Sequence, residues 1–219
     1  MTASKQPTLV ITGGHGDLAR AISTRFSIDN WYVAAPGRGD LDVTRPDAVT
    51  AYFAHQHPDL LICNAGVIRD APIAKLTESD WQHVIEVNFH GARRCAIAAI
   101  KRMRSRQSGH IIFISSNSAI HPPPGQAAYA AAKAALFGLT RCLAIEAGPS
   151  GIRINGMLPG FLETKMTSTV SDARRDAVRS THTLDRFNTP DAVAQFIWHL
   201  HHDLPHTSGQ IFQLDSRVV

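Results

Sequence analysis

The chain has 219 residues, 44% of them hydrophobic and 18% charged, with 22 Lys and Arg against 18 Asp and Glu, the proportions of one ordinary globular domain with room for a large core. The basic surplus (sequence pI near 9.2) does not make a nucleic-acid face, which would need clustered cations. The one dense stretch, Arg93-Arg94 to Arg106, lacks stacking aromatics and reads as a solvated helix face. Three scattered cysteines, Cys63, Cys95 and Cys142, without C-x-x-C or other metal-ligand spacing, argue against a disulfide framework or a metal site and for a reducing compartment.

In chain order, MTASKQPTLVITGG runs from polar residues straight into a short apolar strand, without the long apolar core of a signal peptide, and nothing downstream reads as long enough to span a bilayer. A cytoplasmic protein without a membrane partner is expected. Strand-sized, β-branched runs follow at 8–12, 31–35, 60–65, 110–115, 152–158 and 210–214, apolar on both faces as in a covered parallel sheet. Helix patterns fall near 17–28, 47–56, 77–107, 126–147, 171–180 and 190–202. Such alternation predicts a doubly wound α/β fold. No repeat or linker interrupts it, so residues 1–219 read as a single domain.

The first strand ends in Thr12-Gly13-Gly14-His15-Gly16-Asp17-Leu18-Ala19, a G-x-G-x-x-A turn between strand and helix. Glycine there permits a tight turn and close approach of a pyrophosphate, and the helix N-terminus favours the anion. The second strand ends in Ala34-Ala35-Pro36-Gly37-Arg38, with no carboxylate on it and a cation just past it. An acidic residue there would suit the ribose hydroxyls of NAD, a basic one the extra phosphate of NADP. The reading favours NADP(H) over NAD(H), with Arg38 as phosphate contact and His15 as helper, while Asp40 keeps NAD open. Further on, Tyr129 and Lys133 stand one helical turn apart in an Ala-rich run, so both project from one face.

In order, T-G-x-x-x-x-L-A (12–19), D-V-T (42–44), C-N-A-G (63–66), V-N-F-H-G (87–91), I-S-S (114–116), Y-A-A-A-K (129–133), R-I-N-G-M-L-P-G-F-L-E-T (153–164) and S-G-Q-I-F-Q-L-D (208–215) cover nearly the whole chain. This series resembles the short-chain dehydrogenase/reductase family, especially its 3-oxoacyl-(acyl carrier protein) reductases. The resemblance implies a single Rossmann domain with a mostly parallel sheet of about seven strands. It implies a catalytic tetrad of Asn88, Ser116, Tyr129 and Lys133. Tyr129 would be the acid/base, its pKa drawn down by Lys133; Ser116, chosen over Ser115 by its spacing, would hold the carbonyl oxygen. Lys133 would grip the nicotinamide ribose and Asn88 a relay water. Cofactor contacts are implied at Gly13, Gly14, His15, Gly16, Asp17, Leu18, Asp42, Val43, Asn64, Ala65, Gly66, Pro159, Gly160 and Thr164, besides Arg38, Tyr129 and Lys133. The expected substrate is a ketone, alcohol or acyl thioester, and the expected assembly a homodimer or homotetramer.

Three departures from the pattern carry expectations of their own. Asp17 replaces a glycine and should turn outward or cap the helix rather than face a pyrophosphate. Only five residues, Pro36 to Asp40, join the second strand to Leu41-Asp42-Val43, too few for a helical crossover, so the helix between strands two and three should be missing and the adenine end open. The usual closing D-G-G is Asp215-Ser216-Arg217, which loosens the inference to a tetramer. The alternatives are a non-catalytic dinucleotide-binding sensor or scaffold, and a sugar-nucleotide epimerase, for which too little chain follows Pro159.

Overall fold

In the computed structural model, which describes residues 6–218, six short strands form one sheet: β1 (Thr8–Ile11), β2 (Tyr32–Ala34), β3 (Leu60–Cys63), β4 (Gly109–Ile114), β5 (Ile152–Leu158) and β6 (Ile211–Gln213). Every pairing is parallel, in the order β2-β1-β3-β4-β5-β6. The four residues of β1, and likewise of β3, are all buried, as expected for strands covered on both faces.

Helices α2 (Pro46–His55), α4 (Ala92–Arg104) and α5 (Ala127–Ala147) cover one face, packing Val49, Phe53, Ala96, Met103 and Leu136 onto Val10, Leu61, Ile111 and Ile154. Helices α1 (Asp17–Ile28) and α7 (Pro190–His202) cover the other, where Ile22, Phe26, Val193 and Ile197 meet Leu9, Ile11, Ile62 and Ile112. This is a single α/β domain of the Rossmann type. Two further helices, α3 (Glu78–Ile85) and α6 (Asp172–Arg179), lie toward the site described below.

The resemblance implied about seven strands; six form among the described residues. No helix lies between 36 and 41, as expected, but Leu41–Val43 does not form a strand either. Five residues cannot carry the chain up one side of the sheet and back, so β2 becomes the edge. Leu41 and Val43 instead turn inward and are buried beside Val49 and Phe53, each worth about 2 kcal/mol of transfer free energy. Asp40 ties the turn by accepting the Gly37 amide at 3.1 Å.

The expected helix 77–107 is interrupted. After α3 the chain widens into a π-helical segment, Glu86–Gly91, before resuming as α4. Such bulges expose backbone and redirect side chains, often at functional sites. A second correction concerns length. Ala127–Ser150, α5 plus its following turn, spans 24 residues with a mean hydropathy of 1.3, enough by length and composition alone to cross a membrane. In this fold that helix packs along β5 and buries Lys133 and Thr140.

Candidate active site

The strand order reverses at β1, which has β2 on one side and β3 on the other. In open α/β sheets, ligands bind beyond the carboxyl ends of strands at such a switch point. The segments after β1 and β3 meet there. The Thr12 hydroxyl accepts the amides of Asn64 and Ala65 at 3.1 and 3.0 Å, and Asn64 Nδ2 donates to the carbonyls of Thr12 and Gly13 at 3.1 and 3.4 Å. Asn64 is thus a stitch between two turns, and Thr12 is its partner, which the sequence offered only as the first letter of a motif.

Gly13 has φ +69°, and a Cβ on it would lie 2.9 Å from Ala65 Cα. A Cβ on Gly14 would overlap the carbonyl of Ala35. Backbone therefore passes against backbone with no room for a side chain. Gly14→Ala is expected to cost at least about 2 kcal/mol of stability by overpacking, read as a lowered midpoint in urea. Gly16 caps α1 with no side chain, leaving the first-turn amides after Asp17 and Leu18 free to meet an anion.

Asp17 does turn away. Its Oδ2 accepts the Lys165 amide at 2.7 Å, and its Oδ1 lies 3.6 Å from Arg20. The carboxylate thereby ties the phosphate-side turn to the segment after β5, in which Thr164 caps a short helical turn, Lys165–Thr167. Pro159 is held nearby by Asn188, whose amide donates to the carbonyls of Pro159 and Leu214. Gly160 sits against Asp215.

Beside the turn after β2, a cavity of about 150 Å³ is lined by Gly13, Arg38, Asp42, Val43, Ala65 and Gly66, among others. Asp42 Oδ1 accepts both the amide and the hydroxyl of Thr44, and its Oδ2 lies 3.4 Å from Arg38 Nε. The Thr44 hydroxyl, then its amide and Arg38, hold the Asp42 carboxyl below its ordinary value against the opposing effect of burial. Arg38 is 78% exposed. The His15 ring packs on Gly37, next to it.

The four tetrad positions converge on the other side of Gly66. Asn88 lies in the π segment, where its Nδ2 donates to the carbonyls of Val67 and Val84, both at 2.9 Å. Its Oδ1 is buried with no partner. A Cβ on Gly66 would stand 2.8 Å from that oxygen and 3.6 Å from Lys133 Nζ. An unpartnered buried acceptor near an ammonium suits a bound water. Lys133 Nζ donates to the Ile114 carbonyl at 2.8 Å and lies 5.6 Å from the centre of the Tyr129 ring. Burial draws the lysine down to about 8. Desolvation pushes the Tyr129 phenol up to about 12, opposed by a hydrogen bond with Ser116. The expected lowering of that phenol by Lys133 is thus not present in the protein alone. Geometry also separates the two serines: the Ser115 hydroxyl is spent on the Lys133 carbonyl at 2.8 Å, while Ser116 faces Tyr129.

The segment over the site is fastened to the chain's end. Thr183 and Leu184 hydrogen-bond to Ser216, and His182 Nε2 stands 3.8 Å from Asp215, which pairs with Arg217. His182 was marked by no sequence motif, and Arg217 only as a departure from the closing D-G-G.

A glycine turn at the switch point of an all-parallel sheet, with a Tyr–Lys pair on α5, is an arrangement that could receive a dinucleotide. Comparison with known proteins agrees. A family model described as enoyl-(acyl carrier protein) reductase matches residues 30–216. The chain is similar to the 3-oxoacyl-[acyl-carrier-protein] reductase FabG of Thermotoga maritima, 37% identical over 74% of this chain and 66% of that one. It is also similar to the 3-oxoacyl-[acyl-carrier-protein] reductase MabA of Mycobacterium bovis (32%; 95% and 91%) and to FabG of Aquifex aeolicus (28%; 98% and 88%). The chain belongs to the short-chain dehydrogenase/reductase family and is an NAD(P)H-dependent oxidoreductase.

Proposed function

We propose that the protein reduces the ketone of a 3-oxoacyl thioester, or a closely related carbonyl, with NADPH. The observation that carries this reading is the convergence of Asn88 Oδ1 and Lys133 Nζ on one side of Gly66, with the cofactor-sized turn of Gly13 to Leu18 on the other. The relatives' names supply the substrate class.

The residues present fit the cofactor: Gly13 and Gly14 leave the cradle free of side chains, and the first amides of α1 would receive its phosphates. Ala65, Gly66, Pro159, Gly160 and Thr164 would hold the rest of it, with Asp42 and Val43 toward its adenine. NADPH bound there supplies the hydride. Tyr129 gives its proton to the carbonyl oxygen; an alkoxide is a far stronger base than a phenolate, so a phenol near 12 still transfers downhill. Ser116 holds the same oxygen while charge develops on it. Lys133 keeps a positive charge beneath the phenol, and the water held by Asn88 returns a proton to it.

Preference for NADPH is supported by Arg38 and His15, two exposed side chains flanking Gly37, with Asp40 Oδ2 turned to the Gly37 amide. Arg38→Ala is expected to weaken NADPH about tenfold or more while leaving NADH within about twofold, as read by nicotinamide fluorescence. Equal losses for both would remove Arg38 from the phosphate site. The decisive experiment is NADPH consumption with an acetoacetyl thioester; binding without turnover would defeat the reductase reading and leave a dinucleotide-binding sensor. The small-residue faces of α4 and α5, with Ile97 and Ile145 exposed, support a homodimer or homotetramer, and three free cysteines accord with a cytoplasmic setting.

A further inference from the structure

Ser116 is the inner end of a chain of hydrogen bonds that leads out of the site. Its Oγ accepts the Ser118 amide at 3.2 Å and donates to the Ser118 hydroxyl at 3.3 Å. Ser118 in turn donates to Gln126 Oε1 at 2.8 Å, and Gln126 Nε2 donates to Asp70 Oδ2 at 2.8 Å. Beside the last link, the Ala71 amide donates to the Gly125 carbonyl at 2.9 Å. Together these stitches join the loop after β3 to the start of α5, three residues before Tyr129.

The direction of the chain is set at its outer end. An ionised carboxylate only accepts, so Gln126 must present its NH₂ to Asp70 and its oxygen to Ser118. The Ser118 proton is thereby committed outward and its backbone amide inward. The outer links are short and, at Asp70, charge-assisted; the inner hydroxyl link is long and weak. The arrangement fixes where the Ser116 oxygen sits while leaving its proton easy to redirect toward a substrate oxygen. It does not conduct protons, because an amide passes none without changing tautomer.

We propose that Asp70, Gln126 and Ser118 are positioning residues for the Ser116 hydroxyl. The proposal rests on the reading of Ser116 as the group that holds the carbonyl oxygen. Misplacing such a group by a fraction of an ångström lowers turnover far more than binding.

The test uses acetoacetyl-thioester reduction by NADPH, with Ser116→Ala as reference. Ser118→Ala and Asp70→Ala should each lower kcat about tenfold with the KM for NADPH within about twofold. Gln126→Glu puts a second carboxylate where the hydrogen bond was, so the pair must share a proton. Its kcat should fall as pH rises and recover toward pH values of about 5. Adding Asp70→Asn restores every donor and acceptor with the charge moved inward: the carboxamide now at position 70 donates to the carboxylate now at position 126, which still accepts from Ser118. The double variant should regain kcat to within about threefold of wild type at all pH values. Wild-type kcat in Ser118→Ala and Gln126→Glu, or no recovery in the double variant, overturns the proposal. If Ser116→Ala itself keeps wild-type turnover, the reading of Ser116 falls first. If that variant is inactive while Gln126→Glu is unaffected, only the positioning chain falls.

Discussion

Tyr129→Phe is expected to lower kcat for ketone reduction by about 10³-fold, within the range a positioned general acid contributes, while the Kd for NADPH stays within about twofold. Phenylalanine keeps the ring's shape and packing on Lys133 and removes the one proton the proposed chemistry needs. The Ser116 hydroxyl is a far weaker acid, and Lys133 Nζ points one proton at the Ile114 carbonyl, 2.8 Å away. Stopped-flow single turnover with NADPH in excess separates the loss from product release. A variant keeping more than about a tenth of wild-type kcat removes Tyr129 as the acid.

The same pair fixes a pH dependence. With burial holding the phenol near 12, Tyr129 stays protonated throughout the neutral range, so reduction is limited by other groups there. Lys133, drawn down to about 8, is charged below that value and loses its charge above it. Reduction should therefore be level between about pH 6 and 7 and decline as pH is raised through about 8. A profile flat to pH 10 would contradict the role given to the ammonium.

The strands and the Tyr–Lys spacing were legible because both rest on local signals. Each strand is a short apolar run, and the Tyr–Lys pair is set by the pitch of a single helix. What escaped depended on partners distant in sequence. Asp17 could be read as unsuited to a pyrophosphate, but not as an acceptor for the amide of Lys165, 148 residues away. The π segment carrying Asn88 could not be read either, since Glu86-Val87-Asn88-Phe89-His90-Gly91 has an ordinary helical composition. It is supported from outside: Val43, displaced from a strand by the shortened connection, packs on Gly91, where a Cβ would come within 2.6 Å of it. The choice of Ser116 over Ser115 rested on the spacing of a resemblance; that the Ser115 hydroxyl donates to the Lys133 carbonyl could not be read from sequence. Gln126 and Asp70 carried no signal, because nothing in their own neighbourhoods demands a carboxamide or a carboxylate.

The second large effect is expected far from the site, at the opposite end of the sheet. His110, on β4, is fully buried; its Nδ1 lies 3.3 Å from Nδ1 of His201 on α7 and its Nε2 lies 3.1 Å from Asn155 Nδ2. Asn155 cannot turn over, since its Oδ1 accepts the Gln210 amide and its Nδ2 also donates to the Thr207 carbonyl. Nε2 of His110 must therefore accept, its Nδ1–H donates, and His201 Nδ1 accepts in turn. A proton added to either ring sets two donors face to face. Around the pair stand Arg153, which donates to the carbonyls of Leu200, His201 and Leu204, and the rings of His202 and Trp31, none of which carries a negative charge to offset an added proton. Burial accordingly holds His110 well below its ordinary value and draws His201 down to about 3.

Folded-state values below the unfolded value of about 6.5 mean that the unfolded chain binds more protons beneath that pH. Stability is then fully present above about pH 6.5 and declines as pH falls below it, by up to about 1.4 kcal/mol per pH unit for each ring. Two rings acting together should remove about 3 kcal/mol between pH 6.5 and 5, a large part of a typical folding free energy. Paired carboxylates such as Asp42 and Asp215, held below their ordinary values, lose their contribution only at lower pH, so this window belongs to the histidines. Urea unfolding at pH 7.5, 6 and 5 measures the slope. His201→Gln, whose amide oxygen still accepts from His110, should about halve it. An unchanged midpoint from pH 7.5 to 5 would mean that both rings take up their protons in the folded state.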